Sequence, residues 1–180
     1  MNLLLQRPGT VPRSGTYALH PDHCAVELSV RQLTRTVRGR VTALDGELHI
    51  DADDPAASSV WIDLDAGSLS TGKADRDAVV KGRELLDADR YPFLRFESRS
   101  VTEVGADRYA VTGDLYVRDD VGEVELDVRM LSTPDDHVAC VATGSLRRST
   151  FGLQWSERFE RLGLLVGDTV KVRLGVEFGR

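Results

Sequence analysis

Lysine is nearly missing from this chain: Lys73, Lys81 and Lys171 are the only ones in 180 residues, and they stand far apart. Without a polybasic tract, no single segment can hold an anionic membrane surface. The 29 acidic residues outnumber the 23 basic ones, for a net charge of −6. That is the wrong sign for a phosphate backbone, which clustered cations must neutralise. No nucleic-acid partner is expected. Long apolar runs are missing too. None approaches the ~20 residues of a membrane-spanning helix, and Leu3, Leu4 and Leu5 fall short of the roughly 7 to 15 apolar residues of a signal peptide. The expectation is a cytoplasmic protein without stable membrane insertion. Cysteine is limited to Cys24 and Cys140, both on apolar faces of predicted strands, where they read as small core residues rather than a disulfide. Neither a Gly-x-Gly-x-x-Gly nor a Walker-type loop occurs, so no cofactor is expected.

What the chain does have is alternation. Val124, Leu126, Val128 and Met130 alternate with Glu123, Glu125, Asp127 and Arg129, the period-two pattern of a strand with one dry and one wet face. Val170, Val172, Leu174, Val176 and Phe178 repeat it. Shorter versions occur at Val26, Leu28 and Val30; at Leu44, Leu48 and Ile50; at Val60, Ile62 and Leu64; at Leu94 and Phe96; at Tyr109, Val111, Leu115 and Val117; and at Val138, Cys140 and Leu146. With Tyr17 to His20 as a short opener, the pattern predicts about eight or nine strands in one all-β domain over 16–180. A loose arm is expected over 1–15, where Pro8, Gly9, Pro12 and Gly15 interrupt any period. Periodicity alone allows a barrel or a sandwich. The one-sided apolar strands favour an antiparallel β-barrel, whose closure at about eight strands leaves room for side chains or one small ligand.

One stretch departs from the strand pattern. Ser70, Thr71, Asp75 and Asp77 precede Val79, Val80 and Gly82, which predicts a short helix capped by a hydroxyl and stopped by glycine. Ser68, Ser70 and Thr71 lack a nucleophile elbow around them, so capping is their expected work. Asp77 and Arg76 are expected to tie the helix to neighbouring strands. His20 and His23, three apart, lack further ligands at metal spacing, and no metal site is expected. An acid-base pair, if any, would be His23 with Asp77.

Four segments resemble the YceI-like, polyisoprenoid-binding family. They are His23-Cys24 with Val26, Leu28, Val30 and Gly39-Arg40-Val41; Ser68-Leu69, Thr71-Gly72, Arg76-Asp77, Leu85-Leu86-Asp87 and Tyr91-Pro92; Gly113-Asp114-Leu115 with Val117-Arg118; and Arg148-Ser149 with Phe151-Gly152 before Val166-Gly167-Asp168. Together they run from residue 17 to 178. Cys24, Gln32 and Val79 depart from the family's pattern, in which a serine and two histidines are usual.

The resemblance implies a lipocalin-like barrel with its helix near one opening, holding an isoprenoid or other long-chain amphiphilic lipid rather than catalysing a reaction. The expected ligand contacts are the inward residues Leu28, Val30, Leu44, Ile62, Leu64, Phe96, Leu115, Val117, Leu126, Val128 and Met130. To these are added Arg148, Phe151, Trp155 and Phe159, in an irregular segment expected to flank the mouth as a flap or to plug it. Two other readings stay open: an enzyme acting on an amphiphile, and a stress-linked structural domain with a filled core. A homodimer is left open as well.

Overall fold

The computed structural model describes residues 12–32, 34–132, 136–154 and 167–180. Within them the alternating segments form nine strands: β1 (Gly15–Leu19), β2 (Ala25–Gln32), β3 (Arg35–Ile50), β4 (Ser59–Ser70), β5 (Phe93–Gly105), β6 (Arg108–Val117), β7 (Asp120–Ser132), β8 (His137–Arg147) and β9 (Thr169–Gly179). One helix, α1 (Ala74–Lys81), lies between β4 and β5. The strands follow the order β1-β3-β2-β9-β8-β7-β6-β5-β4, and β3 also pairs with β4. The sheet therefore closes into the expected antiparallel barrel.

The nine strands make eight staves, because β1 and β2 share one. In β1, Ala18 lies opposite Glu47 of β3 and Gly179 of β9; in β2, Val26 lies opposite Val41 and Leu174 of the same two neighbours. Pro21 has no amide hydrogen for the ladder, and the 3-10 turn Pro21–His23 breaks the stave there. Of the expected N-terminal arm, residues 12–15 are described. Pro12 is buried, the Ser14 carbonyl accepts from Arg180, and the Arg13 carbonyl accepts from the Tyr17 hydroxyl.

Inside, the dry faces meet. Tyr17, Ile62, Phe96, Leu126, Phe151 and Phe178 are among the buried side chains, while Glu27, Glu125 and Arg129 face solvent. Leu44 is a correction. Its spacing from Leu48 and Ile50 places it indoors, yet it is exposed. Ala43 pairs with Leu64 and Asp45 with Asp63, so β3 advances two residues while β4 advances one. Leu44 is the extra residue of this bulge, and the inward set changes from odd positions (Val41, Ala43) to even ones (Leu48, Ile50).

The two thiols flank Val176. Cys140 pairs with it directly, and Cys24 precedes Ala25, the partner of the adjacent Gly175. Two strand spacings put their backbones roughly 10 Å apart, beyond the ~7 Å that a disulfide spans. Both are free, and burial pushes the Cys140 thiol up to about 12.

Helix α1 is seated on the barrel by Asp77. Its carboxylate accepts from the Thr71 amide (2.8 Å), the Thr71 hydroxyl and the Ser70 hydroxyl (3.1 Å). Arg76 donates to the Thr71 hydroxyl (2.7 Å) and carbonyl (3.0 Å). The tether between helix and strand is thus as expected, but the cap is not. Lys73 is the N-cap residue and makes no side-chain cap bond. Ser70 and Thr71 point their hydroxyls at Asp77 because a buried carboxylate is the stronger acceptor.

Candidate functional site

The eight staves enclose a cavity of about 360 Å³, within the ~300–1,000 Å³ of small-molecule sites. Its wall is mainly valine and leucine. One end is bordered by Pro12, Asp51 and Pro55, and the other by Thr71, Arg76, Arg148 and Leu153. The second end, where α1 sits, is called the helix end below. Inner-face glycines give large side chains their room. A Cβ on Gly113 would lie 2.6 Å from the Phe96 ring, and one on Gly122 would lie 2.8 Å from that of Phe151.

Of the residues expected to meet a ligand, Leu28, Val30, Ile62, Leu64, Phe96, Leu115, Val117, Leu126, Val128, Met130, Arg148 and Phe151 all border this cavity. Leu44 does not, since the bulge turns it outward. Trp155 and Phe159 lie outside the described residues. Sequence reasoning missed Val80, Leu85 and Leu86, which line the cavity at the helix end, and Pro12, which lines it at the other end. The pair Leu85-Leu86 was a usable signal, because two adjacent leucines after a short helix need cover.

The helix-end rim is held by a second carboxylate that sequence reading assigned no structural task. Asp168 accepts from Arg147 (2.8 Å) and from the Ser149 amide (2.9 Å) and hydroxyl (2.8 Å). These bonds join the end of β8 to the start of β9. The hydrogen bond from Arg147, then those from Ser149, hold its carboxyl at about 2. Arg148 runs the other way, donating to the carbonyls of Gly167 (3.0 Å) and Leu153 (2.5 Å). Burial lowers its pKa, opposed by the charge of Asp168. Phe151 stands in the 3-10 turn Arg148–Phe151, fully buried, with its carbonyl accepting from Arg118 (3.2 Å).

The architecture is that of one family. A model of the YceI-like domain matches residues 17–178. The chain belongs to the YceI-like family. It is 27% identical to a UPF0312 protein of Vibrio cholerae over 73% of each chain, and 24% identical to one of Staphylococcus aureus over 87% of this chain and 92% of that protein. Among solved structures, it superposes on Burkholderia cenocepacia BcnA with a TM-score of 0.76 at 20% identity, covering 88% of this chain and 98% of that one. A polyisoprenoid binding domain from Saccharophagus degradans gives a TM-score of 0.74 at 14% identity, over 91% and 97% of the two chains. At these identities the superpositions speak for the fold.

Within this YceI-like barrel, His23 and Asp77, the two groups that an acid-base reading would require, are engaged separately. The His23 ring is exposed and contacts Glu177 at 2.9 Å, whereas Asp77 is buried against Ser70 and Thr71. No cluster of three or more potential metal ligands occurs among the described residues.

Proposed function

We propose that the barrel binds a slender apolar or amphiphilic lipid, an isoprenoid or another long-chain molecule, along its axis, and sequesters or carries it. The observation that carries this reading is the unfilled apolar cavity of about 360 Å³. Close-packed interiors hold few voids larger than a water molecule. An apolar cavity stays dry, and filling it restores contacts that its lining otherwise forgoes. Each buried methylene contributes about 0.8 kcal/mol, so a five-carbon isoprene unit contributes roughly 4 kcal/mol before ordering costs. A few units suffice for micromolar binding. The relative from Saccharophagus degradans, described as a polyisoprenoid binding domain, agrees in ligand class. Arg76 and Arg148 both border the helix end, which suits the polar head of an amphiphile there, with the tail running toward Pro12 and Pro55.

Native mass spectrometry of freshly purified protein is expected to show an added mass in steps of one isoprene unit or one alkyl chain. The matching variant is Ala142→Trp. Ala142 borders the cavity and is buried between Val128 and Leu174, so an indole there fills the open space. The variant is expected to lose the lipid adduct while its melting temperature holds or rises. Wild-type protein that carries no adduct, and takes up no prenol offered in detergent, overturns the reading.

A further inference from the structure

We propose that the outer face formed by β3, β2, β9 and β8 beside the helix end docks on an anionic lipid bilayer. The acidic chain has no polybasic segment, yet the sheet assembles a basic surface from separated strands. Register places it: Arg40, Glu27 and Arg173 form one row across β3, β2 and β9, and Arg38, Ser29 and Lys171 form the next. Arg31 on β2 and Arg147 on β8 extend the face toward the helix end. All six cations, Arg31, Arg38, Arg40, Arg147, Lys171 and Arg173, are exposed.

Two carboxylates counter them. Glu27 reaches Arg40 at 3.7 Å, and Asp168 holds Arg147 at 2.8 Å. Among the described residues, no carboxylate lies within 4 Å of Arg31, Arg38, Lys171 or Arg173. With strands about 4.8 Å apart, Arg38 and Lys171 have backbones only ~10 Å apart. Among the described residues their mutual repulsion meets no internal counter-charge, and the face they form is complementary to an external anionic surface.

Clusters of roughly 4 to 8 cations suit anionic lipid headgroups, and this one has a bilayer's geometry rather than a nucleic acid's. The face is a broad sheet wall whose exposed side chains Glu27, Arg31, Arg38, Arg40, Lys171 and Arg173 include no aromatic ring to stack bases. It also adjoins the end of the barrel where Arg76 and Arg148 border the cavity. This proposal rests on the lipid-binding reading for its purpose, though the electrostatics stand alone.

The test is co-sedimentation with phosphatidylcholine vesicles, with and without about a third phosphatidylserine, at about 0.1 M and about 1 M salt, where the Debye length falls from ~10 to ~3 Å. Wild-type protein is expected to bind only the anionic vesicles and to release at high salt. Each surface cation is worth about a fivefold change in binding, so Arg38→Gln/Lys171→Gln/Arg173→Gln is expected to bind about a hundredfold more weakly. The equal-charge variant Arg99→Gln/Arg108→Gln/Arg129→Gln, on the other wall, should keep its binding. Thermal melts check that both variants fold.

Equal binding to neutral vesicles, equal losses in both variants, or binding to duplex DNA without binding to vesicles overturns the proposal. Prenol uptake from detergent micelles separates it from the reading beneath it. Uptake without vesicle binding removes the docking face alone, and vesicle binding without uptake removes the lipid cargo alone.

Discussion

Phe151→Ala is expected to cost about 3 to 5 kcal/mol of folding stability, as buried phenylalanine truncations do. For a chain of this size that corresponds to a melting temperature lower by roughly 6 to 20 °C. The ring is 1% exposed and lies on Gly122 of β7, which has no side chain to fill the space left behind. The 3-10 turn carrying it ends at Gly152, whose φ of 62° is left-handed and fixes where the chain turns away. The neighbouring structure is therefore poorly placed to collapse. Since Phe151 also borders the cavity, the truncation enlarges the void rather than creating an isolated one. Urea denaturation checks the magnitude. A loss below about 1 kcal/mol would mean that the turn repacks freely and that Phe151 is a movable stopper.

The second large effect is expected at Asp77. Asp77→Ala leaves the Thr71 amide without its acceptor and removes the common partner of two hydroxyls. Hydrogen bonds to a charged group contribute about 1.5 to 3 kcal/mol each and do not simply add, so a loss of about 3 kcal/mol is expected, with α1 detaching first. The sign with pH follows from the shift. Burial raises the pKa of this carboxyl, but the bonds from Thr71 and Ser70 and the charge of Lys81 outweigh it, leaving the value below the ordinary range. A depressed folded-state pKa contributes stability above the unfolded value of about 3.9 and loses it as the pH falls through the folded one. The gap between wild type and Asp77→Asn should therefore be full at neutral pH and shrink below about pH 4. A gap unchanged down to pH 2 would show that shape, not charge, seats the helix.

The barrel was legible in the sequence because a strand's side chains alternate and one face was apolar in nearly every segment. Leu28, Ile62 and Leu126 could be placed indoors from their neighbours alone. Leu44 could not. A bulge inserts one residue, and its signal is a close approach, the Trp61 carbonyl 2.8 Å from where a Cβ on Gly46 would be. The split stave was half visible, since Pro21 announced a break, but only pairing shows that β1 and β2 lie in line. Ser70 and Thr71 were misread as caps because hydroxyls before a helix commonly are, and the stronger acceptor stood six and seven positions on. The basic face was invisible for a different reason. Its cations lie between residues 31 and 173 and become neighbours only through the register of four strands.

Closure through the β3–β4 pairing has a kinetic consequence. Among the described residues every stave is paired on both sides, so a chain held inside would leave by sliding out lengthwise through an end. The activation cost of departure then grows with every carbon that must be withdrawn, at about 0.8 kcal/mol, or fourfold in dwell time, per methylene. Capture needs only the leading tip to find an opening, so association rates should vary little along a homologous series while dissociation rates fall geometrically. If the proposed lipid occupies it, a barrel of this kind would discriminate by length through time: short chains would equilibrate, and long ones would stay until an opening widens.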